Sequence, residues 1–240
     1  MASNYLEWQL NLFDVRLNRP ISDSTGLFLP LTAGTSTKAT CYKDANGTSL
    51  TTPATMANGV IRFFTDSSVT SLDLIVVTAS DHCKYMRAVT QSQQRVMIDT
   101  DQIKQIMYVP FTTAASAVVV DSGLKLSQTM LVKDAYARCY TVGSTTALLS
   151  AGTTTGSVTG FLNAIICTVT GWLALTEATT TTVTVNTRGS LLVANAAFTR
   201  QYHRPANATS GLSLIYQTDV TCTTPAQGFI VLEYDRLVAP

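Results

Sequence analysis

The chain is expected to be all-β and to fold as two β-sandwich domains, and three observations carry that expectation. Apolar residues recur with a period of two in short runs, the spacing of a strand with one buried face. Gly, Pro and Asn-Gly turn signals separate those runs at intervals of roughly ten residues, as in sandwiches. Threonine fills about a sixth of the 240 residues while charged groups make up only 13%, about half the usual ~25% share. A β-branched residue suits a pleated, half-buried surface, so threonine in place of Lys and Glu points to strands rather than amphipathic helices.

A chain of 240 residues is long enough for two domains that each bury a core without staples. The net charge of +1 leaves no electrostatic footprint for a phosphate backbone, so no direct nucleic-acid partner is expected. A weakly charged surface resists self-association poorly, which favours a place in an assembly. Cys41, Cys83, Cys139, Cys167 and Cys222 are widely spaced with no CxxC pair. The odd count and the spacing argue against a zinc site or a disulfide framework, and the cysteines are read as small buried hydrophobes of a chain made in a reducing compartment. The first ten residues, MASNYLEWQL, carry charge and polarity where a signal peptide has its apolar centre. The apolar runs fall short of the ~18 residues of a membrane span, so a soluble chain of cytoplasmic synthesis with no membrane contact is expected. The sequons at Asn46 and Asn207 are then accidental.

From the N-terminus, Leu6, Trp8, Leu10 and Leu12 alternate with polar residues, after which the apolar set moves to Phe13, Val15 and Leu17. That one-residue slip predicts a bulge or bend near 12 and 13, where the strand turns a corner or changes partner. TKATCYKD is read as a strand leading to a turn at Asn46-Gly47, and Asn58-Gly59 marks a second turn before VIRFFTD; both residues of an Asn-Gly pair accept positive φ. SLDLIVVTAS reads as a more interior strand.

The run ATCYKDANGTSLTTPATMANGVIRFFTD, followed by SLDLIVVTAS, RVMIDTD and YVPF, resembles the N-terminal sandwich of structural proteins from tailed-bacteriophage virions and, more loosely, transthyretin-like modules. The resemblance spans about 38–111 and implies a transthyretin- or Ig-like sandwich that binds or spaces rather than catalyses. Domains are accordingly expected at 1–113 and 124–240, with a linker at 114–123 in which Val118 to Val120 pack against one domain.

In the second half, Met130, Val132, Tyr136, Tyr140 and Val142 are placed on one face of an extended strand, interrupted by Asp134 and Arg138, with helix the rival over 128–139. VGSTTALLSAG, a Gly/Thr loop, GFLNAI and the Thr-Gly pair before Trp172 resemble the C-terminal domain of tailed-phage capsid decoration (head cement) proteins. SLIYQTDV and TPAQGFIVLEYDRL resemble that family's paired closing strands, and TTTTVTVNTRGSLL supplies a strand and a turn between. The order of pieces over 124–237 carries the likeness. It implies a jelly-roll-like sandwich in a virion protein, made in the host cytoplasm, that binds the outer capsid surface, with the major capsid protein as partner and a homo-oligomer, a trimer for preference. Where the family often has aspartates, the loop Gly152 to Gly160 has Thr and Ser, so no cation site is expected there.

Catalytic residues are sparse. Asp81, His82 and Cys83 adjoin, but neighbours on a strand point to opposite faces and form no relay, so a turn cluster is expected. Asp99 and Asp101 form an Asp-x-Asp pair without the rest of a calcium loop. The segment RQYHRPANATSG around His203 is either a solvated loop or a contact loop. No GxSxG, HExxH, phosphate loop or dinucleotide fingerprint is present, so no enzyme, metal or cofactor is expected. The alternative function is a carbohydrate- or receptor-binding module of a tail fibre. It would need Trp172, Tyr202 and Tyr216 as an exposed, coplanar stacking row.

Overall fold

The computed structural model describes residues 5–113, 118–127, 129–144, 147–153, 158–173, 212–218 and 223–237, and the backbone of 187–188 and 202–203. Among them every regular element is a strand. The chain divides into two compact units, Met1–Ile103 and Lys104–Pro240.

The first unit contains β1 (Tyr5–Asp14), β2 (Arg19–Pro20), β3 (Leu27–Thr32), β4 (Ala54–Thr55), β5 (Val60–Asp66), β6 (Leu72–Val77), β7 (Cys83–Val89) and β8 (Arg95–Ile98). One sheet has the order β2-β1-β5 with β8 also on β1, and the other β4-β3-β6-β7. Their inner faces share one core, from Trp8, Leu10 and Leu12 through Phe28, Ile61 and Phe63 to Leu72, Leu74 and Val76. Trp8 stacks on Phe63 with the rings 3° from parallel, and its indole N–H donates to the Thr65 hydroxyl at 2.8 Å. Burial of the whole of β6 bears out its interior position. TKATCYKD, in contrast, makes only isolated bridges, Lys38 to Leu31 and Tyr42 to Ser49 and Phe64. Its neighbouring turn forms as expected, with Gly47 at φ 81°.

The N-terminal strand changes partner where the sequence suggested. It runs antiparallel to β5 from Tyr5 to Asn11, then parallel to β8 from Asn11 to Asp14. No slip in phase accompanies the change, which corrects the expectation of a bulge. Asp14, not Phe13, continues the buried series Trp8, Leu10, Leu12. A carboxylate tolerates that position because its acceptors are filled. Arg16 N–H and Leu17 N–H donate to Oδ1 at 2.9 and 3.1 Å, and the Thr100 hydroxyl donates to Oδ2 at 2.7 Å. Phe13 turns outward beneath the Arg95 guanidinium, 4.7 Å from the ring centre.

The second unit holds β9 (Lys104–Thr112), β10 (Val119–Leu126), β11 (Met130–Thr141), β12 (Leu148–Thr153), β13 (Leu162–Ile166), β14 (Gly171–Trp172), β15 (Thr187–Arg188), β16 (Tyr202–His203), β17 (Leu212–Thr218) and β18 (Gln227–Arg236). Its sheets run β10-β17-β12-β13-β15 and β14-β11-β18-β9, with β16 also on β11. The domain boundary therefore lies near 103, not 113. YVPF belongs to β9, which pairs with β18 along its whole length, from Lys104↔Asp235 to Thr112↔Gln227. The expected linker also yields to pairing: Val119 begins β10, hydrogen-bonded to β17, and Val118 and Val119 are exposed rather than packed. Residues 114–117 lie outside the described set. The strand chosen over a helix for 128–139 is β11. SLIYQTDV and TPAQGFIVLEYDRL are β17 and β18, yet they sit in different sheets and do not pair with each other. β17 pairs with β12 and β10, and β18 with β11 and β9.

Two predictions follow from the first unit. The turn at Asn58 and Gly59 has φ 51° and 74°, the two positive values of a tight hairpin, and a Cβ on Gly59 would overlap the Ile21 carbonyl oxygen. Gly59→Ala is expected to cost on the order of 2–4 kcal/mol, read by urea unfolding with Trp8 fluorescence. Hydrogen bonds, Leu17 N–H first and the Thr100 hydroxyl next, hold the Asp14 carboxyl below its ordinary value. A depressed folded value means that this stabilisation is complete above the ordinary carboxylate range and disappears as pH falls through the folded value. Asp14→Asn is expected to lower the thermal midpoint at neutral pH. The gap from wild type should close as the solution is acidified through and below the ordinary carboxylate range, as followed by circular dichroism.

Candidate functional site

The most distinctive surface of the second unit originates in an irregularity of β11. Pairing with β18 follows a simple register from Met130 to Val132, skips a residue, and resumes with Asp134↔Glu233. Asp134 sits at that bulge, with its Oδ1 accepting from Ala135 N–H at 2.8 Å and its Oδ2 accepting from the Tyr136 hydroxyl at 2.8 Å. An extra residue exchanges the two faces of a strand from that point on. Met130 and Val132 point inward before the bulge; after it Ala135, Ala137 and Cys139 do. Tyr136 and Tyr140, expected on the same face as Met130, are on the opposite one.

The small inward residues leave Tyr136, Arg138 and Tyr140 in a row on the outer face. Trp172 joins them from β14, in register with Arg138. The Arg138 guanidinium carbon is 5.1 Å from the centre of the Tyr140 ring and 5.4 Å from that of Trp172. Both distances are inside the range of cation–π attraction, worth about 0.5–1 kcal/mol at an exposed site. Tyr136 meets Trp172 edge to face, the rings 81° apart. On the other side Phe229 of β18 lies in register with Arg138, fully buried, with Tyr108 and Tyr140 edge-on to it at 5.8 and 5.6 Å. The result is an aromatic layer around one arginine, whose Nε is buried without a hydrogen-bond acceptor among the described residues. Trp172, at 57% exposure, is the part open to solvent.

The patch gathers two tyrosines, a tryptophan and an arginine on one face of the sheet. Tyr, Trp and Arg are the residue types that dominate binding energy at protein interfaces. Trp172 was legible in the sequence as a candidate ring, whereas Arg138 and its two tyrosines were not legible as its neighbours. The available signal was YARCY, in which large and small residues alternate with a period of two.

The other candidates are elsewhere. His82 is buried in the β6–β7 turn. Its Nδ1 lies 3.0 Å from the Ser80 hydroxyl and its Nε2 3.0 Å from the Thr100 carbonyl oxygen, a satisfied structural histidine. Asp81 occupies the same turn at φ 63°, and Cys83 begins β7. Asp99 accepts from Asp101 N–H at 3.1 Å, and Asp101 pairs with Arg16. No cluster of three or more potential metal ligands occurs among the described residues. Tyr216 is buried, with its ring 67° from that of Phe111, so it cannot join Trp172 in an exposed coplanar row. The side chains of Tyr202 and His203 and most of RQYHRPANATSG lie outside the described residues. So do Cys222, Asn207 and the centre of the Gly152–Gly160 loop, 154–157.

Comparison with protein-family models, with curated proteins and with solved structures gives no match.

The two tryptophans differ enough to test the patch optically. Trp8 is sealed in a core, whereas Trp172 is exposed beside a guanidinium. Trp172→Phe is expected to remove nearly all acrylamide-quenchable fluorescence and leave a blue-shifted emission from Trp8. A quenchable, red-shifted component that survives in Trp172→Phe would mean that Trp172 is not the exposed ring.

Proposed function

We propose that this chain is a structural virion protein that binds the outer surface of a tailed-phage capsid and reinforces it, without catalysing a reaction. One observation carries the proposal: the exposed Trp172 and the Arg138, Tyr136 and Tyr140 side chains beside it form a ready contact patch on a sheet. The likeness of the ordered pieces over 124–237 to capsid decoration proteins supplies the partner, the major capsid protein. A chain with few charges and an all-β build accords with permanent packing in an assembly. Attachment would be multivalent: each copy of a symmetric oligomer, preferably a trimer at local threefold positions, buries a modest area, and avidity does the rest.

The exposure of Trp172 also favours a second reading, stacking on a sugar ring in a tail-fibre module. Burial of Tyr216 weighs against the flat three-ring platform first considered for it, leaving Trp172 as the ring to test.

Purified protein added to phage heads that lack it is expected to cosediment with them. Trp172→Ala and Arg138→Ala should each weaken binding by roughly tenfold or more. Light scattering after size exclusion is expected to give a trimer mass. Absence of cosedimentation, together with retention on a polysaccharide column that Trp172→Ala abolishes, would replace the capsid reading with the sugar-binding one.

A further inference from the structure

The tripeptide Ala-Asn-Gly occurs twice in the chain, as Ala45-Asn46-Gly47 and Ala57-Asn58-Gly59, both in the first unit. In each copy the asparagine is exposed and the glycine has a positive φ, 81° and 74°. The two share a chemical liability: a glycine nitrogen, with no side chain on the next carbon to crowd it, can attack the side-chain carbonyl of the asparagine before it. They differ in how the attacking nitrogen and the amide under attack are held. Gly59 is buried, and its N–H donates to the Asp23 carbonyl oxygen at 2.5 Å. The Ile21 carbonyl oxygen lies against its α-carbon, and the Asn58 side-chain oxygen accepts from the Ser24 hydroxyl at 3.0 Å. Nucleophile and target are both occupied there. In the first copy the turn hangs on Asp44, whose Oδ1 accepts from Asn46 N–H and Thr48 N–H at 2.9 and 3.2 Å. The Gly47 N–H donates to the Asp44 carbonyl oxygen at 3.4 Å, longer than the ~3.2 Å at which such bonds ordinarily end. The side-chain amide of Asn46 makes no hydrogen bond among the described residues.

From this contrast we infer that Asn46 is a site of spontaneous modification in the folded protein, deamidating through a cyclic imide, while the fold protects Asn58 in the same tripeptide. The Gly47 nitrogen gives up its proton and attacks Asn46 Cγ. The bond from Cγ to the side-chain nitrogen breaks, and that nitrogen departs as ammonia with the proton from Gly47, leaving a five-membered succinimide. Water then adds to one ring carbonyl and the ring C–N bond at that carbon opens. Opening at Cγ gives aspartate; opening at the main-chain carbonyl gives isoaspartate, with the main chain running through the side-chain carbon. One water is consumed and one ammonia released, and nothing is oxidised or reduced. At Asn58 the same attack requires Gly59 N–H to leave Asp23 and the Asn58 amide to leave Ser24, inside a hairpin packed against Ile21.

The product carries a carboxylate at position 46. It cancels the chain's net charge of +1, which lowers solubility, and it sets a second negative charge beside the Asp44 carboxylate that gathers the N–H groups of the turn. Isoaspartate also adds a methylene to the main chain of a turn that closes the bridge between Tyr42 and Ser49. Both changes fall on the first unit and hold whether the second binds a capsid or a sugar.

The test is to hold the folded full-length chain in mildly alkaline buffer beside the same chain unfolded in urea, and to sample both over time. Peptide fragmentation reads positions 46 and 58 separately, and an isoaspartate-specific methyltransferase labels the rearranged product. In urea the two asparagines, flanked by the same residues, are expected to convert at comparable rates. In the folded chain Asn46 is expected to convert at least about tenfold faster than Asn58, the factor that one retained hydrogen bond supplies, with the methyl label confined to position 46. A more acidic species should accumulate on ion exchange; Asn46→Gln should abolish it and Asn58→Gln should leave it. Conversion of Asn58 as fast as Asn46 in the folded chain, the same ratio of rates in urea as in the folded chain, or an intact Asn46 in the folded chain once the urea sample has converted would overturn the inference.

Discussion

The second unit turns on one extra residue in β11. Without the bulge at Lys133, the alternation of Met130 and Val132 would continue through Asp134, and Tyr136 and Tyr140 would lie in the core with them. With it, the small residues Ala135, Ala137 and Cys139 take the inside and are buried. The aromatic rings and Arg138 are turned outward. The Asp134 carboxylate, next to the skipped Lys133, accepts from the N–H of the following residue and from the hydroxyl of Tyr136, so the residue that resumes the register also holds the first ring that the bulge turns outward. The same switch turns Cys139 to the buried face. The outer row of aromatic and cationic side chains and the inner row of small ones are two sides of one strand, each placed by the same register shift.

In the first unit the comparable constraint is the satisfaction of buried carboxylates. Burying an ionised carboxylate is costly unless donors surround it. Asp14 is held by the turn that follows it and by Thr100. Asp23 accepts from Thr25 and Gly26 N–H at 3.0 and 2.7 Å and from Ala79 N–H at 2.7 Å. Asp73 accepts from Gly34 and Ala88 N–H and from the Tyr85 hydroxyl. Each carboxylate ties together turns that are distant in sequence and have little apolar side chain of their own. His82 belongs to this pattern: its ring spans Ser80 and Thr100, and Thr100 in turn donates to Asp14. What resembled a catalytic cluster in the sequence is the scaffolding of loops.

Strand identity was legible where the pattern was local. β5, β6, β12 and β18 have the alternation or the apolar run of strands, and the Asn-Gly pairs form their turns because positive φ is a property of those residues. Partner choice was not legible. YVPF reads as well for either unit, and only its nine-residue pairing with β18 assigns it. The two closing strands look like a hairpin, yet they lie in different sheets, one between β10 and β12 and the other between β11 and β9. Arg138 was visible only as an interruption of an apolar face, since the bulge that gives it a purpose depends on register with β18.

The sequence by itself determined that this chain is all-β, that it comprises more than one unit, and where its tightest turns fall. These follow from side-chain branching, periodicity of two and backbone preference, which act within a few residues. Only the tertiary structure decided that Asp14 is inside and Phe13 outside, that β9 belongs to the second unit, and that Trp172 stands beside Arg138 while Cys139 turns to the buried face. Those outcomes depend on pairing register and on donors contributed by distant segments. A one-residue shift reverses every side chain on a strand, and nothing within the strand alone records which register its partner will accept.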